Sequence, residues 1–141
     1  MKQTFFMLML LAASTLNAQQ HKLTIAVDGI EQIGGTLYVA VYDSENFMKK
    51  PLYGTVAKAD KEEITIVLDG VAQGEYAVSI FHDENDNGKL DTGAYGIPVE
   101  KTGSSNNAKA TYGPPKFNDC KFTVEDDTVI YITLTSYELP K

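Results

Sequence analysis

Gly34-Gly35-Thr36-Leu37-Tyr38-Val39-Ala40-Val41-Tyr42 reads with a period of two: after a glycine pair, Leu37, Val39 and Val41 alternate with Tyr38, Ala40 and Tyr42. Such alternation sorts side chains onto the two faces of a strand, whereas a helix needs apolar residues at steps of three and four. The same period recurs on both sides of this stretch. Upstream, Leu23, Ile25 and Val27 alternate with Lys22, Thr24 and Ala26 and close at Asp28-Gly29. Downstream, Ile64, Ile66 and Leu68 run to an expected end at Asp69-Gly70, followed by Tyr76, Val78 and Ile80. Two further sets are Cys120, Phe122 and Val124, then Ile130, Ile132 and Leu134, and residues 54–59 add a short edge strand. β-Branched and aromatic residues fill these runs and turn residues bound most of them.

Short strands without a helical period predict an all-β chain, a single antiparallel β-sandwich of immunoglobulin-like or transthyretin-like type. The segment Val71-Ala72-Gln73-Gly74-Glu75-Tyr76-Ala77-Val78 fits that class, with a hydrophobic residue, a tight glycine turn and a strand carrying an aromatic. The regular pattern lapses over a long loop region at 83–118, which holds five glycines, three prolines and the polar cluster Ser104-Ser105-Asn106-Asn107. Loops of that length in compact domains are usually functional or held by something.

Residues 1–18 read as a cleavable signal peptide: Lys2, the apolar run Phe5–Ala13, and a cleavage site after Leu16-Asn17-Ala18. The apolar run is shorter than the ~20 residues of a membrane span, and no cysteine follows it as a lipid anchor. The expected product is an exported protein of the periplasm, cell surface or extracellular space, with one β-sandwich domain over 19–141 and no membrane span after cleavage. The formal charge of −7 argues against nucleic-acid partners, since no Lys/Arg cluster offsets it. Cys120 is the sole cysteine, so no internal disulfide forms. Its alternation with Phe122 and Val124 reads as a buried small hydrophobe rather than a nucleophile.

The chemistry concentrates in His82-Asp83-Glu84-Asn85-Asp86-Asn87-Gly88-Lys89-Leu90-Asp91. Asp83, Asn85 and Asn87 stand at the first, third and fifth places of a Ca2+-loop pattern, Gly88 at the sixth and Asp91 at the ninth. Alternating oxygen-bearing side chains on a curving loop converge on one centre, and Lys89 adds a backbone carbonyl. The flanks differ from an EF-hand: the incoming segment is a strand, and Ala94 stands where a bidentate Glu belongs. Glu100, folding back through Gly96-Ile97-Pro98, is the candidate sixth ligand. Two asparagines and few charges imply low affinity, with Kd about 10⁻⁴–10⁻³ M. Two other readings stand beside this one. Asn87-Gly88 is a good turn by itself, so the loop reads equally as a metal-free polar scaffold of a structural domain. His82 with Asp83 and Glu100 also allows a small metal-dependent or acid–base enzyme. Ser104 and Ser105 lack a nucleophile-elbow context. Tyr95, Tyr112 and Phe117 read as core plugs and loop anchors, or as a platform for sugar or peptide.

These motifs, with Gly96-Ile97-Pro98-Val99-Glu100, Ser105-Asn106-Asn107-Ala108 and Gly113-Pro114-Pro115-Lys116-Phe117, resemble a bacterial secreted family catalogued as domain of unknown function 2141. The resemblance spans essentially the mature chain and implies no activity, substrate or cofactor. It implies that His82, Asp83, Asn85, Asn87, Gly88, Asp91, Gly96, Pro98, Glu100 and Asn106 belong to a family pattern outside the strands. The resulting expectation is a non-enzymatic binding or accessory module for an extracytoplasmic protein or glycan, with weak Ca2+ in the 83–100 loop.

Overall fold

The computed structural model describes residues 18–139, so the signal peptide expected over 1–18 lies, but for Ala18, outside the described residues. Among the described residues the strands are β1 (Gln20–Asp28), β2 (Thr36–Tyr42), β3 (Tyr53–Lys58), β4 (Ile64–Ala72), β5 (Gly74–Asp83), β6 (Thr102–Ser104), β7 (Phe122–Val124) and β8 (Thr128–Thr133). One sheet has the order β4-β1-β8, and the other β3-β2-β5-β6, with β7 also paired to β5. The apolar faces meet in one core in which Leu23, Ile25, Leu37, Val41, Val78, Ile80 and Ile132 are almost wholly buried. Burying each such side chain contributes about 1.5–3 kcal/mol. An all-β sandwich with the expected inward sets is the result. Among the described residues no helix is long and apolar enough to cross a membrane.

Four details depart from the sequence pattern. β1 and β8 run parallel, so the sandwich is not antiparallel throughout. Asp69-Gly70 does not end β4: the register slips between His21 and Leu23, and Gly70 has φ +77°, which marks a bulge that turns Val71 inward. Cys120 is fully buried as expected, but it ends a one-turn helix, α1 (Phe117–Cys120), and not a strand. The 83–118 region is interrupted by β6 and by two single 3₁₀ turns, at Ala94–Gly96 and Ser105–Asn107.

β5 positions the site. Its alternation puts Tyr76, Val78, Ile80 and His82 toward the core, and Ser79, Phe81 and Asp83 toward the other face. At the far end of β5 the chain leaves the sheet into the polar loop.

Candidate functional site

Residues 83–100 form a loop closed by two buried carboxylates. Asp83, with no exposed surface, accepts the backbone N–H of Asn87 at 3.1 Å on Oδ1 and that of Gly88 at 2.7 Å on Oδ2. Glu100, 5% exposed, accepts the N–H of Glu84 at 3.0 Å on Oε1 and that of Asp91 at 2.9 Å on Oε2. Hydrogen bonds to a charged acceptor contribute about 1.5–3 kcal/mol each, so these four fix the loop backbone from inside. Glu100 reaches this place because Asp91–Val99 doubles back: Val99 N bonds Asp91 O at 3.0 Å, Gly93 N bonds Ile97 O at 2.8 Å, and Thr92 pairs with Pro98. Gly88 has φ +81° and makes the bend that the pattern assigns to it.

The remaining polar side chains gather on the exposed side. Asn85 Nδ2 donates to Asp91 Oδ2 at 2.6 Å, and Asn87 Nδ2 donates to both Asp91 oxygens at 2.8 Å. The side-chain carbonyls of Asn85 and Asn87 accept the backbone N–H groups of Asn87 (3.2 Å) and Lys89 (3.1 Å). The amide bonds from Asn87, then Asn85, hold the Asp91 carboxyl below the usual aspartate range. The structure therefore brings Asp83, Asn85, Asn87, Lys89 and Asp91 into one loop, with Glu100 behind it as an anchor whose two oxygens are both taken by amides. The donor set is all hard oxygen, and each amide carbonyl keeps a second lone pair. Among the described residues no three His, Cys, Asp or Glu side chains cluster as metal ligands, so any ion here relies on amide and backbone oxygens.

His82 does not meet Asp83 and Glu100 as an acid–base trio. Its fully buried ring places Nε2 2.7 Å from the Gly34 carbonyl, an acceptor only, so Nε2 carries the proton. Nδ1 lacks a hydrogen-bond partner, and its nearest carboxylate is Glu84 at 3.9 Å. His82 thus ties the β5 end to the β1–β2 connection.

Several site residues escaped the sequence pattern. Thr36 Oγ1 donates to Asp86 Oδ1 at 2.6 Å, and Lys58 Nζ lies 3.5 Å from the same oxygen, so the loop tip rests on β2 and β3. The Thr36 hydrogen bond, with a smaller pull from Lys58, lowers the Asp86 pKa. An ideal Cβ on Gly35 (φ +75°) would lie 2.2 Å from Asp83 O, so glycine there lets the two connections touch. The glycine pair carried the only signal, and it was readable merely as a turn.

Elsewhere, Ser105 is a buried cross-link: its hydroxyl donates to Cys120 O at 2.6 Å and accepts Val78 N at 2.9 Å. Burial, reinforced by Asp119, pushes the Cys120 thiol pKa up, in keeping with an inert side chain. Tyr95 and Tyr112 are not core plugs, being 100% and 87% exposed, whereas Phe117 packs edge-on against Phe47.

A family model described as "Uncharacterized protein conserved in bacteria (DUF2141)" matches residues 25–131, a span that takes in β2 to β7 and the whole 83–100 loop. Neither a curated protein nor a solved structure matches the chain.

Proposed function

The chain belongs to the uncharacterised bacterial family DUF2141, and from that premise we propose that it is an exported, non-enzymatic binding module whose 83–100 loop takes Ca2+ weakly. The observation that carries this reading is the division of labour among the loop oxygens. Asp83 and Glu100 hold the backbone by four amide bonds, leaving Asn85, Asn87 and Asp91 grouped on the exposed side. A cation there is held by the side-chain oxygens of Asn85, Asn87 and Asp91 and the Lys89 carbonyl, with the buried Asp83 kept to its two backbone bonds, and it displaces the amide donors from Asp91. Glu100 serves as the anchor behind the site. A rigid loop on a sandwich end is a common platform for recognition. The partner class is an extracytoplasmic protein or glycan. Burial of His82 and commitment of Asp83 and Glu100 to backbone amides weigh against acid–base chemistry at these residues.

Thermal unfolding in EDTA, in 5 mM Ca2+ and in 5 mM Mg2+ tests the cation. With Kd about 0.5 mM, mass action adds about 1.4 kcal/mol, or roughly 5 °C in Tm. The expected result is a Ca2+-selective rise that Asn85→Ala abolishes; equal Tm values in all three buffers sink the cation reading.

A further inference from the structure

We propose that the outward face of β3-β2-β5, beside the polar loop, is a binding trough for a neutral carbohydrate chain. The proposal rests on the binding-module reading but not on the loop's cation. Register creates the shape. Tyr38 lies opposite Val56 on one side and Phe81 on the other, and the Tyr38 and Phe81 rings stack at 4.8 Å with a 4° interplanar angle. Two residues along, Ala40 lies between Gly54 and Ser79, so the next row has almost no side-chain height. Beyond it Tyr42 rises, held edge-on by Phe47, which is held in turn by Phe117. A wall, a low floor and a second wall shape an open depression of about 530 Å³ that Pro51 also lines. The loop abuts the first wall: an ideal Cβ on Gly88 would be 3.8 Å from the Tyr38 hydroxyl.

The lining chemistry selects the ligand class. Among the described residues no charged side chain lines the depression, although the chain carries a formal charge of −7. An ionic ligand would therefore find no counter-charge. Side-chain hydroxyls that bond within the protein include those of Thr36, Tyr53, Tyr76, Ser105 and Thr128. Those of Tyr38, Tyr42 and Ser79 take no protein partner among the described residues, and all three line the trough. Aromatic surface with unused hydroxyls and no charge suits a ligand that alternates C–H faces with hydroxyls, as a sugar ring does. A peptide could add as a strand only along the free edge of β3, since β2 is hydrogen-bonded on both sides, and it is therefore the competing class in the test.

The test titrates ¹⁵N-labelled protein in EDTA with neutral hexasaccharides of β-linked glucose, α-linked glucose, β-linked xylose and β-linked N-acetylglucosamine. A neutral hexapeptide serves as the competing class. The expected result is saturable amide shifts at Tyr38, Ala40, Ser79 and Phe81 with at least one sugar. Tyr38→Ala should weaken binding at least tenfold, and Tyr131→Ala, an exposed aromatic on the other sheet, should not. Gly54→Val is the second variant: its Cβ meets only ordinary contact, at 3.5 Å from Val39 O, yet it fills the floor and should also abolish binding. Silence from every sugar overturns the proposal, as do shifts outside the trough, binding indifferent to both variants, or peptide binding in place of sugar. Because EDTA is present throughout, a failed Ca2+ reading and a failed trough are separate outcomes.

Discussion

Replacing Glu100 by Gln probes the anchor of the loop. The carboxylate is 5% exposed and holds two backbone N–H groups, from Glu84 at 3.0 Å and from Asp91 at 2.9 Å. A glutamine amide keeps one oxygen for one of them and turns an NH₂ toward the other. One charge-assisted bond is lost, about 1.5–3 kcal/mol, and a donor is left facing a donor. Glu84 and Asp91 are themselves half-buried, so water reaches part of the vacated geometry and keeps the loss at about 2–3 kcal/mol. For a chain of this size that is roughly 8–12 °C in Tm. The assay is urea and thermal unfolding followed by far-UV circular dichroism in EDTA, so that no metal contributes. Glu125→Gln, an exposed carboxylate, is the matched control and should stay within about 0.5 kcal/mol of the parent. If Glu100→Gln is as stable as that control, the carboxylate does not lock the loop and the reasoning fails.

Two further outcomes follow from the same geometry. Gly35→Ala drives a Cβ to within 2.2 Å of Asp83 O and 2.9 Å of Glu84 Cα at a positive φ, and should cost about 3 kcal/mol in urea unfolding; an unchanged urea midpoint would contradict the contact. Burial, with the neighbouring Tyr53 hydroxyl adding to it, pushes the Tyr76 phenol up to about 12 from 10.0. A folded pKa above the unfolded one gives stability that is whole below pH 10 and is lost as the pH rises toward 12. The urea midpoint should therefore fall through that window more steeply in the parent than in Tyr76→Phe, and parallel declines would refute the shift.

The strands were legible because burial imposes a period of two wherever one face is covered. Leu37, Val39 and Val41 point into the core as their spacing predicts. Pairing order was not legible, since alternation records a face and not a neighbour; the parallel partnership of β1 with β8 depends on where the chain returns. β6 carries no pattern because Thr102-Gly103-Ser104 is short and is set by tertiary contacts. Thr102 exchanges bonds with Thr135, and Gly103 packs so closely that a Cβ would lie 2.6 Å from Ile132 Cγ2. At the site, the spacing from Asp83 to Asp91 announced a polar loop around Gly88, and the chain indeed gathers those side chains there. The assignment of each oxygen was hidden. Whether Glu100 faces an ion or two backbone amides depends on the turn over 91–99, and the supports from Thr36, Lys58 and Gly34 come from 28 to 50 residues away. Local sequence carries no trace of them.

The most direct test of the central claim is a Ca2+ titration of ¹⁵N-labelled protein followed by its amide spectrum, with Mg2+ in parallel. The account predicts saturable shifts with Kd about 10⁻⁴–10⁻³ M, confined to the backbone and side-chain amides of 83–91. They should be largest at the Asn85 and Asn87 side chains, which lose their bonds to Asp91. A spectrum unmoved by Ca2+, or moved equally by Mg2+, would contradict it and leave the loop as a scaffold held by Asp83 and Glu100 alone.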